Sequence, residues 1–467
     1  MRKRRPNAGH TRLFRWTHDT IKRGVCEMSE MLAKTESIMK KGISLGADEV
    51  IAKTTLGRYR QTRFSNNEID ISVAWNDYIT NVMLTWKKRV AATQIRNFQN
   101  IDATMERLFK LAKVSKENPQ YGGIAKGKFK YAKSVADKAL WDLEDPSQYV
   151  ELAINAAIEE AGPETNTGGI LFTKFEEVFL ASSEGPTAHD TRSAIELSIR
   201  AFSTIDASGH GVECSSTLKN FDPSRAGEKA GRIARLARNP KRGEAGKYDV
   251  IFDPLFWGSL VGSYAWMSSA FNVMIQMSIF ADKIGQKVAS EVVTLRDKPA
   301  GYSVANRTFD DEGYPVGETT IIDHGVLKTY LHNTSTARLF KTKTTGNAGL
   351  VAPRAWNIEM DAGDVGREDM FDDLKRGLYL TNTWYTRFQN YATGDFSTLP
   401  RDGIFLVENG EIKQSLKDLR LSDNALKILS NIVQVSKERQ HIHWWDADPP
   451  SLCPYVLVKD VQMTKPT

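Results

Sequence analysis

Several residues of the types that bind metal ions lie close together near the carboxyl end of the sequence. His441 and His443 are separated by one residue, and Cys453 follows shortly after them. On a strand, alternate side chains point to one face, so the two imidazoles would lie side by side. A zinc site needs three or four converging ligands, and a thiolate is among those that zinc binds. Because Trp444-Trp445 and Pro449-Pro450 intervene, we favour packing at a strand edge and keep a divergent zinc site as the alternative.

Other common catalytic signatures are missing from the sequence. The eight histidines form no His-Glu-x-x-His pair, in which one helical face supplies two zinc ligands and a general base. No Gly-x-Ser-x-Gly elbow is present to anchor a serine hydrolase triad. Gly122–Lys128 has the spacing of a P-loop, but Phe129 replaces the hydroxyl residue that would hold magnesium. We therefore predict no catalytic residue and no resident cofactor in this chain.

The composition is that of an ordinary globular protein. Of 467 residues, 41% are apolar and 26% are charged, so the chain is able to bury a sizeable core. This balance excludes a disordered or collagen-like chain. Three widely spaced cysteines argue against a disulfide framework. A reducing, cytoplasmic compartment is therefore expected.

The positive charge is concentrated at the amino terminus. Residues 1–24 contain eight Lys or Arg and one acid, a net charge of +7, so the rest of the chain sums to −1 within the total of +6. We predict that residues 1–28 form a basic, disordered tail. Because the remainder has no excess of Lys and Arg to neutralise phosphates, nucleic-acid binding is not expected of it. A nucleic-acid-associated protein that binds through the tail is an alternative.

One uncharged stretch, Pro254–Ala281, has the length of a membrane span. Its 28 residues include seven Ser, Asn or Gln, which a span disfavours. Its large apolar side chains recur every three or four positions, as on one face of a buried helix. We therefore predict a buried central helix over Pro254–Phe271 and no membrane association.

The remaining periodicities predict an α+β fold with antiparallel sheets. A helical pattern over Glu30–Leu45 gives way to five short β-rich runs between residues 47 and 96. Asn66-Asn67 and Asn76-Asp77 separate some of these runs, and we predict a tight turn at each pair because both residue types tolerate turn conformations. Helices return at Ile101–Lys113 and Ser147–Ala161. Further on, His324-Gly325 and Asn409-Gly410 each separate two apolar runs, which is the strongest short signal for a β-hairpin.

A basic, glycine-containing connection at Asn239–Lys247 divides these elements. We predict an N-terminal α+β domain over residues 29–240 and a C-terminal α+β domain over residues 248–467. Within the second domain the pattern predicts a helix over Arg367–Leu380 and a final strand over Tyr455–Met463.

An ordered series of short motifs runs through the second half. The motifs are Lys283–Glu291, Phe309–Gly313, Ile321–Leu331, Thr345–Asn347, Lys375–Thr381, Thr393–Ser397 and Glu408–Ile412. In this order they resemble the TldD/PmbA family, once called modulators of DNA gyrase and now regarded as peptidases. The resemblance extends over about residues 30–465 and implies a two-part PmbA/TldD-like architecture.

The family has two branches that pair as a heterodimer. TldD-type subunits resemble zinc peptidases with a His-Glu-x-x-x-His helix and a C-terminal cysteine ligand, whereas PmbA (TldE)-type subunits lack that motif. Counted back without gaps from Lys283, the motif would fall on Val261–Trp266, which holds no histidine and no acid. The resemblance therefore implies a non-catalytic, TldE-like subunit without zinc of its own, the zinc being expected in a TldD-type partner.

The resemblance also implies a role in proteolysis of unfolded or short peptides. A homodimer is an alternative assembly, and an autonomous metallopeptidase that uses His441, His443 and Cys453 is an alternative enzyme. Polar loop residues expected near a shared substrate cavity, with turn formation as their alternative role, are Thr345, Gly346, Asn347, Arg354, Thr393, Gly394 and Asp395.

Overall fold

A computed structural model describes residues 20–96, 100–301 and 303–465, with side chains from residue 29 onward. Residues 1–19 of the predicted basic tail lie outside the described residues. The first helix begins at Thr20 rather than at the predicted Glu30.

The first half forms an antiparallel sheet, with six described strands in the order β3-β2-β1-β4-β5-β6. The strands are β1 Glu49–Ser65, β2 Glu68–Trp86, β3 Arg89–Ile95, β4 Asn166–Ser182, β5 Thr187–Thr204 and β6 Ala207–Ser215. The helices are α1 Thr20–Ser44, α2 Ile101–Val114, α3 Lys138–Asp142, α4 Ser147–Ala161 and α5 Pro223–Leu236.

The first sheet has two different faces. Alternate residues such as Val50 and Leu171 pack with the helices. The intervening residues, among them Leu180, face the second half of the chain and contact Phe309 there. Because side chains alternate along a strand, one sheet serves both interfaces.

The first two strands are longer than the sequence predicts. The Asn66-Asn67 turn is confirmed, since both residues have positive φ between β1 and β2. The turn predicted at Asn76-Asp77 is wrong, because β2 continues through both residues in register with β1. The unbroken ladder to the neighbouring strand outweighs the local turn preference of these residues.

The second half builds a larger mixed sheet, with twelve strands among the described residues. They are β7 Lys241–Arg242, β8 Gly246–Phe252, β9 Leu295–Asp297, β10 Thr319–Asp323, β11 Val326–Leu327, β12 Ile358–Met360, β13 Arg376–Asn390, β14 Asp395–Glu408, β15 Glu411–Lys417, β16 Arg420–Asn424, β17 Ile432–Trp444 and β18 Ala447–Thr464. The helices are α6 Pro254–Met267, α7 Ala270–Met274, α8 Thr334–Leu339, α9 Arg367–Asp372 and α10 Ala425–Ser430.

The predicted hairpins and fold class are confirmed. His324-Gly325 joins β10 to β11 and Asn409-Gly410 joins β14 to β15, with positive φ at all four residues. Most strand pairs are antiparallel, although β13 runs parallel to β8. The fold is therefore α+β. The domain boundaries at residues 240 and 248 stay a prediction.

The helix predicted over Arg367–Leu380 is wrong in its second part. Helix α9 ends at Asp372, and β13 begins at Arg376. Leu378 and Leu380 are fully buried in the parallel pair with β8. Tertiary burial therefore decides the structure of a segment whose local pattern fits a helix.

The predicted central helix exists as α6, which ends at Met267 rather than Phe271. Pro254 occupies its first turn, and the Asp253 carboxylate caps it by accepting the Leu255 amide at 2.8 Å. Nearly all of its side chains are buried, as expected for a helix that is apolar on every face. Over the described ranges, no helix is long and apolar enough to cross a membrane.

Candidate functional site

The face of α6 where the resemblance places a metal motif carries no ligating side chain. Val261 is fully buried, Gly262 has no side chain, and Trp266, which is 41% exposed, presents an indole. None of these offers the imidazole or carboxylate that zinc requires. The residues present on this face therefore do not fit a zinc ion.

The two glycines of α6 hold the β17–β18 hairpin close against this helix. A Cβ atom at Gly262 would lie 2.8 Å from the Asp448 carbonyl oxygen. One turn earlier, a Cβ atom at Gly258 would lie 2.9 Å from Ile442 and 3.2 Å from the Ser451 hydroxyl. Backbone of the hairpin therefore occupies the space that a glutamate at position 262 would need.

The residues of the alternative metal site do not converge. Cys453 on β18 lies opposite Gln440 on β17, so the two side chains point to the same face of the sheet. His441 and His443 point to the opposite face, because side chains alternate along a strand. His443 Nδ1 lies 2.8 Å from the Glu196 carboxylate. Cys453 is buried on the α6 side, and that burial raises the pKa of its thiol to about 12.

More generally, within residues 29–96, 100–301 and 303–465 no three His, Cys, Asp or Glu side chains are grouped so that they could hold a metal ion.

Three of the predicted cavity residues turn inward instead. The Thr345 hydroxyl accepts the His332 amide at 2.8 Å, and the Trp356 indole donates to the Gly346 carbonyl at 2.9 Å. The Asn347 amide donates to the Arg354 carbonyl at 3.0 Å. These contacts fix a turn, which is the alternative role that the sequence allowed for these residues.

Arg354 is the predicted residue that lines an open cavity. The cavity has a volume of about 480 Å³ and lies beyond the end of α6, between Trp266, Phe271 and Asp448. The Arg354 guanidinium lies 5.4 Å above the Trp356 ring and 3.8 Å from the Asp448 carboxylate. An aromatic and cationic wall of this kind is able to contact peptide side chains.

The predicted residues Thr393, Gly394 and Asp395 form the exposed turn between β13 and β14. The Thr393 hydroxyl donates to Asp395 at 2.6 Å, and Gly394 has a positive φ of 86°. Tyr391, at the start of this turn, packs on Trp266 at 5.0 Å between ring centroids. The structure thus brings the turn close to the cavity of Arg354.

A hydrogen-bonded chain that resembles a catalytic triad lies where the two sheets meet. Ser198 Oγ is 2.8 Å from His210 Nε2, and Asn382 Nδ2 is 3.0 Å from His210 Nδ1. Asn382 also donates to Asp402 and accepts the Thr383 amide, which fixes the direction of its amide group. His210 Nδ1 must therefore accept, and Nε2 carries the proton.

That tautomer is the reverse of the one that a general base needs, because Nε2 would have to accept the serine proton. Burial also lowers the pKa of His210 to about 3, which keeps the ring neutral. The chain Ser198–His210–Asn382 is therefore a structural network rather than a nucleophile and its base.

A second cavity, of about 530 Å³, lies between α5, β6 and β17. Among the side chains that line it are Glu213, Lys229, Arg232, Arg439 and His441. Sequence reasoning did not bring these residues together, although the charged positions of α5 recur at helical spacing.

Two long segments of the chain match known domain families. Residues 128–238 match the PmbA/TldA metallopeptidase central domain, and residues 245–465 match the PmbA/TldA metallopeptidase C-terminal domain. Together the matches cover most of the chain.

Similar curated proteins are metalloproteases. A metalloprotease of Methanocaldococcus jannaschii is 34% identical over 224 residues, which are 46% of this chain and 48% of that protein. A metalloprotease TldD homolog of Buchnera aphidicola is 26% identical over 290 residues, which are 56% of this chain and 59% of that protein. The chain thus spans about half to three-fifths of the length of these relatives.

Two solved structures have the same fold. TldE from Thermococcus kodakarensis superposes with a TM-score of 0.81 at 21% identity, covering 92% of this chain and 99% of that one. A protein of Thermotoga maritima described as a modulator of DNA gyrase superposes with a TM-score of 0.80 at 22% identity, over the same shares of the two chains. At these identities the likeness is one of fold.

Proposed function

Because this chain belongs to the PmbA/TldD metallopeptidase family, we propose that it is the non-catalytic, TldE-like subunit of a metallopeptidase complex. The complex acts on unfolded or short peptides, and its zinc is held by a TldD-type partner in a heterodimer. This chain contributes walls of the peptide-binding chamber rather than the hydrolytic centre.

The observation that carries the proposal is the packing of α6. Positions 261, 262 and 266 hold Val, Gly and Trp, and the Asp448 carbonyl lies where a side chain at position 262 would begin. Placing the glutamate of the motif at position 262 would require the hairpin to move. Peptide hydrolysis is therefore assigned to the partner, because a zinc peptidase needs its metal to activate water.

Strand β2 has an open edge at which an extended peptide could bind. Among the described residues, β3 pairs with β2 only from Thr80 onward, so no described strand covers the β3 side of Glu68–Trp75. Ile71, Val73 and Trp75 are exposed along one face of this segment. An unpaired strand edge with alternate apolar side chains is a surface that binds extended peptides by adding a strand.

The cavity of Arg354 supports the same assignment. Trp266 and Phe271 are exposed apolar side chains beside a guanidinium. We propose that Arg354 and the Thr393–Asp395 turn border the chamber, whereas Thr345, Gly346 and Asn347 hold the loop that presents Arg354.

Co-expression with the TldD-type subunit of the same organism tests the proposal. Each chain and the mixture are purified, zinc is measured, and hydrolysis of unfolded casein and of a quenched fluorescent peptide is followed. We expect zinc in the partner and hydrolysis by the copurified complex. Hydrolysis by this chain alone, with zinc bound to it, would refute the assignment.

A matched pair of variants sharpens this test. Val73→Lys places a charge on the open segment of β2, whereas Ile205→Lys places one on the fully exposed turn between β5 and β6. We expect slower hydrolysis of casein with the first variant and no change with the second. Equal rates of casein hydrolysis with the two variants would show that the peptide does not bind along β2.

A further inference from the structure

The cavity between α5, β6 and β17 holds charges of both signs. Its volume of about 530 Å³ lies within the range of roughly 300–1,000 Å³ that is usual for small-ligand sites. Glu213 lies on the β6 wall, Arg225 and Arg232 on α5, and Arg439 on β17. The cavity is separate from the α6 face and from the cavity of Arg354.

Glu213 is a buried carboxylate that forms no ion pair with the described residues. Its side chain is 9% exposed, and no described Lys, Arg or His nitrogen lies within 4.0 Å of it. Burial raises the pKa of Glu213 to about 7. The shift is only partly offset by the charges of Arg225 and Lys229 and by the Asp222 amide, which favour the ionised form. A buried acid in this state is stabilised by a ligand that brings a cation or a hydrogen-bond donor.

The cations of the cavity are only partly satisfied within the chain. Lys229 Nζ contacts Asp253 at 2.6 Å and Gln440 at 2.8 Å, which leaves the third proton of its ammonium group. Arg232 forms no ion pair with the described residues, and Arg439 lies 3.8 Å from the Glu359 carboxylate. Guanidinium groups in such a setting bind carboxylates through paired hydrogen bonds.

We propose that this cavity binds a small zwitterion, namely a free amino acid or a short peptide with both termini free. The α-ammonium group of the ligand lies against Glu213, and its carboxylate lies against Arg232 and Arg439. A simple anion such as phosphate fits less well, because Glu160, Glu213 and Glu228 also line the cavity and would repel it.

This site does not depend on the proposed function, since its binding is measured on the isolated full-length chain. Failure of the chain to assist a TldD-type subunit would leave the zwitterion site standing. Failure of zwitterion binding would leave the subunit assignment standing.

Isothermal titration of the full-length chain with glycyl-leucine tests the proposal. Two blocked analogues serve as ligand controls, namely N-acetyl-glycyl-leucine, which lacks the ammonium group, and glycyl-leucinamide, which lacks the carboxylate. We expect each to bind at least about tenfold more weakly, because each lacks the partner of one charged group of the cavity, Glu213 or the Arg232 and Arg439 pair.

The variants Glu213→Gln and Arg232→Ala should each weaken glycyl-leucine binding by about tenfold or more. Arg242→Ala, at an 83% exposed side chain outside the cavity, is the matched control and should bind as the unmodified chain does. Circular dichroism confirms that the variants are folded.

Three results would overturn the proposal. They are equal affinity for the blocked analogues, tighter binding of inorganic phosphate than of glycyl-leucine, and absence of binding by leucine and glycyl-leucine at millimolar concentrations.

Discussion

Helices α5 and α6 begin in the same way and differ in almost everything that follows. Both have 14 residues, an aspartate cap and a proline in the first turn. Asp222 accepts the Ser224 amide at 3.2 Å, and Asp253 accepts the Leu255 amide at 2.8 Å. The shared start is therefore a capping device and gives no information about function.

The difference lies in the side chains that the two helices carry. Helix α6 has no charged residue and packs its glycines against the β17–β18 hairpin. Helix α5 places Arg225, Lys229 and Arg232 along one cavity wall. Of these two helices, α5 carries the groups capable of polar chemistry, while the helix that corresponds by resemblance to a metal-binding one is an apolar packing element.

The largest expected effect comes from the ion pair that joins the two helices. Lys229 of α5 and the Asp253 cap of α6 are both buried and lie 2.6 Å apart. Lys229→Ala leaves the carboxylate buried without its cation, so the free energy of unfolding should fall by about 3–5 kcal/mol. Urea denaturation at pH 7 measures the change.

Lys40→Ala is the control, because Lys40 pairs with Glu36 on the exposed side of α1. A change of less than about 0.5 kcal/mol is expected there. The double variant Lys229→Met with Asp253→Asn should recover part of the loss, since it removes both charges. Equal losses for Lys229→Ala and Lys40→Ala would show that the buried pair contributes no more than an exposed one.

Packing of α6 against the hairpin predicts the next effect. Replacing a helical glycine by alanine normally stabilises a protein by up to about 1 kcal/mol. Gly262→Ala should instead destabilise it by about 1–3 kcal/mol, because the new Cβ atom would lie 2.8 Å from the Asp448 carbonyl oxygen. Thermal unfolding measures the sign of the change.

Ser263→Ala, on the half-buried neighbouring position, is the matched control and should be neutral or slightly stabilising. A stabilising Gly262→Ala would mean that the hairpin yields at little cost. The steric argument against a larger side chain at position 262 would then be lost, whereas the lack of ligating side chains at positions 261, 262 and 266 would remain.

The fold was largely predictable because its signals are local. The hairpins at His324-Gly325 and Asn409-Gly410 need residues that accept positive φ, and the chain supplies them. Asn76-Asp77 has a local preference for a turn, but its structure is decided by β1, in which it pairs with Arg58 and Gly57. Single-sequence reasoning has no access to such a partner.

The candidate sites were less predictable because they combine distant residues. The Gly258-x-x-x-Gly262 spacing is visible in the sequence, but its partner Asp448 lies in another element. Glu213, Lys229 and His441 come from β6, α5 and β17, and no spacing rule joins them. Thr345 and Asn347 are polar loop residues by sequence, but their hydrogen bonds point inward because the fold places His332 and Arg354 beside them.

A third prediction concerns the pH dependence that α5 and β6 confer. The pKa of Glu213 is raised from 4.5 to about 7. Between these values the folded chain keeps a proton that the unfolded chain has lost, so stability falls as the pH rises through this window. Glu213→Gln should therefore gain about 1–2 kcal/mol relative to the unmodified chain between pH 5 and pH 8.

Urea midpoints at pH 5, 6, 7 and 8 measure this difference. The other charged or titratable groups around Glu213 lie on α5, at its cap, on β17 and at the end of α4, and they are Asp222, Arg225, Glu228, Lys229, Arg232, Arg439, His441 and Glu160. They are unchanged in Glu213→Gln, so subtracting the two curves isolates the carboxyl group. Parallel curves would indicate that Glu213 titrates near its ordinary value and lacks the burial assigned to it.

The smallest effect tests whether the two caps are equivalent. Asp222 is half exposed, and its ion pair with Arg225 lies at the surface. Asp222→Ala should lower the free energy of unfolding by about 1 kcal/mol through loss of the cap, and Asp222→Asn should recover most of that loss. Guanidinium denaturation of both variants measures it.

Asp253→Asn is the informative counterpart, because asparagine also caps a helix well. The amide keeps a carbonyl for the Leu255 amide but removes the charge beside Lys229 and the acceptor of the Tyr379 hydroxyl. A loss clearly larger than for Asp222→Asn would show that the second cap is chiefly an ion-pair partner between helices. If neither asparagine variant changes the free energy of unfolding, the two caps are equivalent. Helices α5 and α6 then differ only in the side chains that face the cavity and the hairpin.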